Sequence, residues 1–447
     1  MKKIVILGAG PTGLGAAYRL HQLGYQNWAI FEKNNYVGGL SASFQDRQGF
    51  TWDVGGHILF SNNGRFNRLV DDLMGSEMLS FTRESWVWLK ENFIKYPFQN
   101  NFHMHPEKEI VLECIMGLID TLSRKGPCKN FEEWILHFFG EGIARHFMIP
   151  YNQKVWACPL DTMDYGWIAD RISIIDIKRI MRNIVIQKED SDWGPNNTFR
   201  YPLHGGTGGL FNRFLPFTQG HLSLNRDVVR INTRNREIVF QNGERAVYDV
   251  LISTMPLNEL VDKMDTKPEH IEKSLKYFNW SGGYMVGAGI KKPCPSKKNW
   301  MYFPQDDSPF YRVTYLSNYS PNMTPEGDYF SFLAETSFSK FKNVSSETIV
   351  ENTVQGLINS KLLKEEDRTS IVSTHVIEIP YSYPIPFSGR DRVLADIQAF
   401  LSGQDIYSRG RFGGWKYEVG NMDHSVMQGV EAAEKILLAK EEQIYRT

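Results

Sequence analysis

Cysteine is scarce: Cys114, Cys128, Cys158 and Cys294 are the only four in 447 residues. No two of them stand at the spacing of a metal-binding pair, and none sits beside a histidine cluster. No metal site is expected, and a reduced, cytoplasmic protein is. Charge of either sign is not in excess. Lysine and arginine total 50, aspartate and glutamate 51, for a formal net charge of -1. There is no global field to draw nucleic acid or an anionic membrane surface. No apolar run reaches the length of a membrane span. The first residues lead directly into a strand, so no signal or transit peptide is expected. Repeats, low-complexity segments and long charge blocks are missing. So are a Ser-His-Asp or Cys-His arrangement and a paired set of carboxylates, which leaves side-chain nucleophilic catalysis without its usual machinery.

What is present begins with size. At 447 residues the chain exceeds one ordinary domain and the length implies about three. With 42% hydrophobic residues it can bury a sizeable core. The 11 Trp and 20 Tyr are generous, and most must serve that core, although such side chains also stack on nucleotide bases and sugars.

The most informative stretch runs from Lys2 to Leu40. Ile4-Val5-Ile6-Leu7 is apolar at every position, as a buried parallel strand should be. Gly8-Ala9-Gly10-Pro11-Thr12-Gly13 follows, then a helix whose buried face is read as Leu14, Ala17, Tyr18, Leu20 and Leu23. A second strand, Trp28-Ala29-Ile30-Phe31, ends at Glu32. In such a unit the glycines let backbone approach a pyrophosphate at the helix N-terminus, and the acid accepts from ribose hydroxyls. Further glycine clusters at Gly38-Gly39-Leu40-Ser41 and Asp53-Val54-Gly55-Gly56-His57 fit a longer dinucleotide, FAD, lying in a groove. These stretches resemble the large FAD-binding family that includes amine oxidases and protoporphyrinogen oxidase.

Residues 107–185 carry helical periodicity with few β-branched runs, and 280–380 read as strands interrupted by one helix near 346–363. Residues 222–255 alternate like strands and are expected to return to the nucleotide-binding sheet. A last helix is read near His424. The predicted architecture is α/β. A discontinuous Rossmann-like FAD-binding domain (1–95 with 200–265 and 388–447) carries an inserted helical domain (96–199) and a β-sheet substrate domain (266–387). Ligands would bind at the carboxyl ends of the parallel strands, beneath the two insertions.

A closer resemblance emerges from the loops. Tyr96-Pro97-Phe98-Gln99, Pro150-Tyr151-Asn152-Gln153-Lys154-Val155-Trp156-Ala157, Trp167-Ile168-Ala169-Asp170-Arg171 and Trp193-Gly194-Pro195-Asn196 recur in one family. So do Trp300 with Tyr302, Phe310-Tyr311-Arg312, Tyr319, Tyr383-Pro384 and Gly410-Arg411-Phe412-Gly413 to Tyr417 and Asn421. From residue 3 to about 435 the chain resembles the UDP-galactopyranose mutases of eukaryotic type. The resemblance implies a uracil and nucleotide channel at Tyr96, Phe98, Gln99, Asn152 and Trp156. It implies diphosphate and sugar contacts at Arg171, Arg312, Tyr319, Tyr383, Tyr417, Trp300 and Tyr302. A mobile flap would contribute Asn196. FAD contacts are implied at Gly8, Gly10, Gly13, Glu32, Lys33, Gly39, Leu40, Ser41, Gly55, Gly56, His57, Val228, Gly410, Arg411, Asn421, Met422 and Ser425. Arg171, Arg312 and His57 would be the catalytic set. Where the family usually has a second histidine, this chain has Asn62. Planar guanidinium forks and tyrosine hydroxyls suit a dianionic diphosphate.

The resemblance further implies the interconversion of UDP-galactopyranose and UDP-galactofuranose, a step in cell-surface glycan biosynthesis. Reduced FAD would supply its N(5) as nucleophile toward the anomeric carbon, with NADPH or NADH as reductant. A cofactor nucleophile explains why no side-chain one is found. The chain is shorter than fungal relatives, so a monomer or small homo-oligomer is expected. Three alternatives stay open: a mutase of a related nucleotide sugar, an amine-oxidase-like FAD oxidoreductase, and a non-catalytic nucleotide-sugar binding protein.

Overall fold

Ile4–Leu7 forms the middle of a five-stranded parallel sheet, ordered Ile406–Ser408, Val250–Ser253, Ile4–Leu7, Trp28–Phe31 and Leu222–Ser223. The computed structural model describes residues 1–168, 172, 175–190 and 197–446. The strand is apolar throughout because both faces are covered. Ile4 and Ile6 face a cluster with Leu14, Leu20, Val426 and Val430. Val5 and Leu7 face the opposite cluster with Leu257, Leu260, Leu394 and Leu401. On the first face the helices Pro11–Gln22 and Met422–Leu438 cross in backbone contact. A Cβ on Gly15 would lie 2.2 Å from the Val426 carbonyl oxygen, and one on Gly429 only 1.9 Å from that of Thr12. Only glycine permits that approach.

A seven-stranded sheet stands beside this layer, ordered Ile371–Ile385, Asn279–Ile290, Phe330–Phe338, Arg312–Tyr315, Trp300–Tyr302, Ser85–Leu89 and Asn92–Lys95. Its pairs are antiparallel except for Trp300–Tyr302 with Ser85–Leu89. The two strands between 85 and 95 therefore belong with the substrate-side sheet and not with the parallel one. The predicted helical insertion is present as Lys108–Thr121, Phe131–Ile143, Ile149–Trp156 and Ile177–Val185, around a core that includes Phe131, Trp134, Phe139 and Ile143. The helix read near 346–363 is Ile349–Asn359, and the last one is Met422–Leu438.

One expectation is corrected. Of residues 222–255, only Leu222–Ser223 and Val250–Ser253 join the parallel sheet. Val228–Asn232, Glu237–Phe240 and Arg245–Val247 form a separate antiparallel sheet. The physical reason is local. Asn242-Gly243, with Gly243 at φ +85°, makes a tight turn, and strands joined by a short turn can pair only antiparallel. Among the described residues no helix is long and apolar enough to cross a membrane, and no group of three or more His, Cys, Asp or Glu is placed to hold a metal ion.

Candidate functional site

The carboxyl ends of Ile4–Leu7, Trp28–Phe31 and Val250–Ser253 open onto a cavity of about 400 Å³. The glycine fingerprint shapes its floor. Gly8 sits at φ +97°, and a Cβ there would lie 2.1 Å from the Thr254 hydroxyl oxygen. A Cβ on Gly13 would lie 1.9 Å from the Gly8 carbonyl oxygen, so Gly13 lets the helix start against the strand. Glu32 ends the second strand; its carboxylate accepts from the Ala9 N–H at 2.7 Å and from the Asn34 backbone and side-chain amides at 2.9 and 2.8 Å. The carboxylate is thus fixed at the cavity edge where a ribose would lie.

Thirteen of the FAD-contact candidates line this cavity: Gly8, Gly10, Glu32, Lys33, Gly39, Leu40, Ser41, His57, Val228, Gly410, Arg411, Met422 and Ser425. Gly13 supports it from beneath, and Gly55 and Gly56 form the turn beside His57. Asn421 lies on the wall of the next cavity. Thr254, Met255 and Tyr381 also line it and were not read from the sequence. The first two follow an apolar strand, Val250–Ser253, whose carboxyl end was the available signal. A cavity lined by the glycine fingerprint, an anchored acid and a buried histidine fits FAD.

His57 faces this cavity, and its Nδ1 is buried with no hydrogen-bond partner among the described residues. Burial pushes its pKa down to about 3, helped by Arg411 and Arg312 and opposed by Glu335. His57 is therefore neutral at working pH. The sign of the linkage follows. Between about 3 and the ordinary 6.5 the unfolded chain binds a proton that the folded chain does not. The stability gained from a neutral His57 is complete above 6.5 and is lost as pH falls toward 3. His57→Gln is expected to lower proton uptake on unfolding by about one across that window. Urea midpoints measured against pH test this, and parallel profiles for the two proteins would refute it.

The second cavity, of about 730 Å³, adjoins the first where Gly420 and Met422 pass into Asn421 and Asp423. It is lined by nine of the substrate candidates: Tyr96, Gln99, Asn152, Trp156, Trp300, Tyr302, Arg312, Tyr383 and Tyr417. Phe98 is not among them. It is fully buried in the helical core, 5.4 Å from the Phe147 ring, because the short helix Phe98–Asn101 turns it away while Gln99 keeps the cavity side. Tyr319 is also fully buried, in the cluster around Trp52, Phe199 and Tyr201. Arg171 and Asn196, with the Trp193-Gly194-Pro195 flap, lie outside the described residues.

Aromatic rings form the cavity wall. Trp156 stands 5.0 Å from Tyr417 and 5.8 Å from Tyr383, and Tyr302 stands 4.8 Å from Tyr96. The Trp300 indole N–H donates to the Tyr302 hydroxyl at 2.7 Å. Burial raises the pKa values of Tyr96, Tyr302 and Tyr383, so these hydroxyls remain protonated and can donate. Arg312 is held by a residue that sequence reasoning missed. Its Nε and Nη2 donate to the two oxygens of Glu335 at 2.6 and 2.8 Å. The Tyr311 hydroxyl donates to the same carboxylate at 2.8 Å, and the Gly56 N–H at 3.1 Å. Burial alone would raise the Glu335 pKa, but Arg312 and these donors hold it below the ordinary range. Glu335 so joins the turn at the cofactor cavity to the arginine of the substrate cavity.

A family model for flavin containing amine oxidoreductases matches residues 11–437. The crystal structure of a reduced UDP-galactopyranose mutase superposes with a TM-score of 0.95 at 42% identity, covering 99% of this chain and 95% of that one. A putative protoporphyrinogen oxidase from Exiguobacterium sp. 255-15 shares the fold, with a TM-score of 0.74 at 16% identity over 98% and 99% of the two chains. A 4,4'-diapophytoene desaturase of Staphylococcus haemolyticus (strain JCSC1435) is 50% identical, but only over 56 residues. That match spans 12% of this chain and 11% of the desaturase.

Proposed function

The chain belongs to the UDP-galactopyranose mutase family, within the flavin containing amine oxidoreductases, and from that premise we propose that it interconverts UDP-galactopyranose and UDP-galactofuranose. The observation that carries the reading is the second cavity. It sets two guanidiniums (Arg83 and Arg312), six tyrosines and three tryptophans directly beside the FAD-shaped groove. Aromatic walls would suit an amine oxidase as well, but cavity guanidiniums would not, whereas a diphosphate calls for them.

Reduced FAD, when bound, supplies a nucleophilic N(5) for the anomeric carbon. The chain's own residues bind and orient. Arg312 offers the N–H groups that Glu335 does not occupy to the diphosphate. Tyr383 and Tyr417 add hydroxyl donors, and Arg171 would add a further guanidinium. Tyr96, Gln99, Asn152 and Trp156 bound the end of the cavity where the uridine would stack. Trp300 and Tyr302 face the sugar. Aromatic walls exclude water while the glycosidic bond is open, and fixed geometry keeps the departed UDP in place for reclosure. His57 stays neutral beside the cofactor and adds no second positive charge that would repel Arg312 or draw the diphosphate from it.

NADPH or NADH is the proposed reductant, used to charge the cofactor since the isomerisation itself is redox-neutral. Four unpaired thiols fit a reducing, cytoplasmic setting. The product would serve cell-surface glycan synthesis, and a monomer or small homo-oligomer is proposed. Arg171 and Asn196 are retained as part of this reading, and so are the domain boundaries, except that residues 85–95 pair with the substrate-side sheet.

The test is direct. Protein reduced with dithionite is incubated with UDP-galactofuranose and the UDP-sugars are separated by chromatography. Conversion to UDP-galactopyranose by reduced but not oxidised protein is expected. No conversion by protein that is reduced and flavin-loaded would overturn the assignment.

A further inference from the structure

A separate cavity of about 390 Å³ lies behind the helix Ile149–Trp156. That helix turns Asn152 and Trp156, one helical turn apart, toward the substrate cavity. Lys154 falls between them on the other side and lines the rear cavity. Its side chain is almost fully buried, and its ammonium donates to the carbonyl oxygens of Gln305 at 2.7 Å and Ser308 at 2.9 Å. Those two carbonyls belong to the tip of a hairpin. Trp300–Tyr302 leads into it and Arg312–Tyr315 leads out, with Tyr302 opposite Arg312 and the Phe303 N–H donating to the Tyr311 carbonyl at 2.9 Å. The arms of the hairpin therefore carry Trp300, Tyr302 and Arg312.

We propose that Lys154 is a positioning residue: it sets the hairpin that carries Trp300, Tyr302 and Arg312 against the helix that carries Asn152 and Trp156. It thereby fixes the distance between the nucleoside wall and the diphosphate wall of the substrate cavity. The proposal rests on reading that cavity as the UDP-sugar site.

A lysine is a poor choice for mere packing at this point. Burial pushes its pKa down to about 7, Lys342 adds to the effect, and Asp307 and Asp306 oppose it. Burying a lone ammonium is costly, and an apolar side chain of similar length would pack here without that cost. What an apolar side chain cannot do is hold two carbonyls at once. The tip has other anchors, but they run elsewhere. The Trp88 indole N–H donates to the Asp307 carboxylate at 3.0 Å, which fixes the tip to its own sheet. The Asn359 amide donates to the Asp307 carbonyl at 2.8 Å, which fixes it to the helix Ile349–Asn359. The bonds from Lys154 are those that reach the nucleotide-side helix.

The experiment compares UDP affinity of the flavin-loaded wild type, Lys154→Met and Lys154→Arg by equilibrium titration, with urea midpoints in parallel. Lys154→Met is expected to bind UDP about tenfold or more weakly, since small misplacements of binding groups are costly. Lys154→Arg keeps a charged donor, has the rear cavity to expand into, and is expected to stay within about threefold of wild type. Ethylammonium added to Lys154→Ala is expected to recover part of the affinity through the rear cavity. A Met variant with wild-type UDP affinity, whatever its urea midpoint, overturns the proposal. So does an Arg variant as weak as the Met variant. If Lys154→Met does not fold, Lys154→Gln replaces it: its shorter donor is expected to give an intermediate loss, and wild-type affinity there overturns the proposal. Wild-type protein that binds no UDP would instead refute the reading of the cavity.

Discussion

Arg312→Ala is expected to weaken UDP binding by about a hundredfold or more, the scale set by loss of one partner in a desolvated charge-assisted contact. The guanidinium faces the substrate cavity while two of its N–H groups are taken by Glu335. In the proposed site its remaining N–H groups would meet the diphosphate. The single variant does a second thing, however. It leaves Glu335 fully buried with its main counter-charge removed, and that lowers stability. The double variant Arg312→Ala/Glu335→Gln separates the effects, because the glutamine carries no charge to strand. Titration of each with UDP decides the matter. The double variant should fold, retain its yellow colour and still show the affinity loss. UDP affinity at the wild-type level in the double variant would show that Arg312 does not hold the diphosphate.

The second large effect falls on Glu335 itself. Glu335→Ala is expected to lower the unfolding free energy by about 3–5 kcal/mol, the usual result of removing one member of a buried ion pair. Arg312 is left without its partner, Tyr311 loses its acceptor, and the Gly56 N–H is released. Urea unfolding measures the loss, and a change below about 1 kcal/mol would contradict the description of Glu335 as a buried partner of Arg312. The pH dependence has a definite sign. The folded pKa of Glu335 lies below its ordinary 4.5. The stability it contributes is therefore complete above 4.5 and is lost as pH falls through the lower, folded value. Release of Gly56 also loosens the turn beside His57. The visible spectrum of the bound flavin is expected to shift in Glu335→Ala, which ties the stability loss to the site.

What could be read in advance divides along physical lines. Ile4–Leu7, the glycines after it and Glu32 were legible because all their information is local: strand, turn and helix follow within one unit. Asn242-Gly243 was equally local, yet the alternation of 222–255 was read as a return to the parallel sheet, whereas the turn makes its neighbours pair antiparallel in a sheet of their own. Glu335 was not legible. It lies in the buried strand Phe330–Phe338, where Ser331, Thr336 and Ser337 are buried as well, and it gains its meaning from register: Arg312 is directly opposite on the next strand. Gly56 reaches it from 279 residues away. Phe98 and Gln99 show the opposite limit. They are adjacent in a motif, yet the helix they begin sends one to the core and the other to the cavity. Family resemblance located the motif, and only the backbone could say which of its side chains faces the ligand.

The crossing of Pro11–Gln22 with Met422–Leu438 bears on synthesis as well as on shape. The cofactor groove runs from Gly8 to Ser425, and its first helix is held down by its last. A nascent chain emerges N-terminus first. While it is still being made, the face of the first helix at Gly15 and Thr12 lacks the cover that Val426 and Gly429 later give it. The groove closes only when translation has passed its final helix. The dinucleotide groove is therefore expected to be complete only in the nearly finished polypeptide.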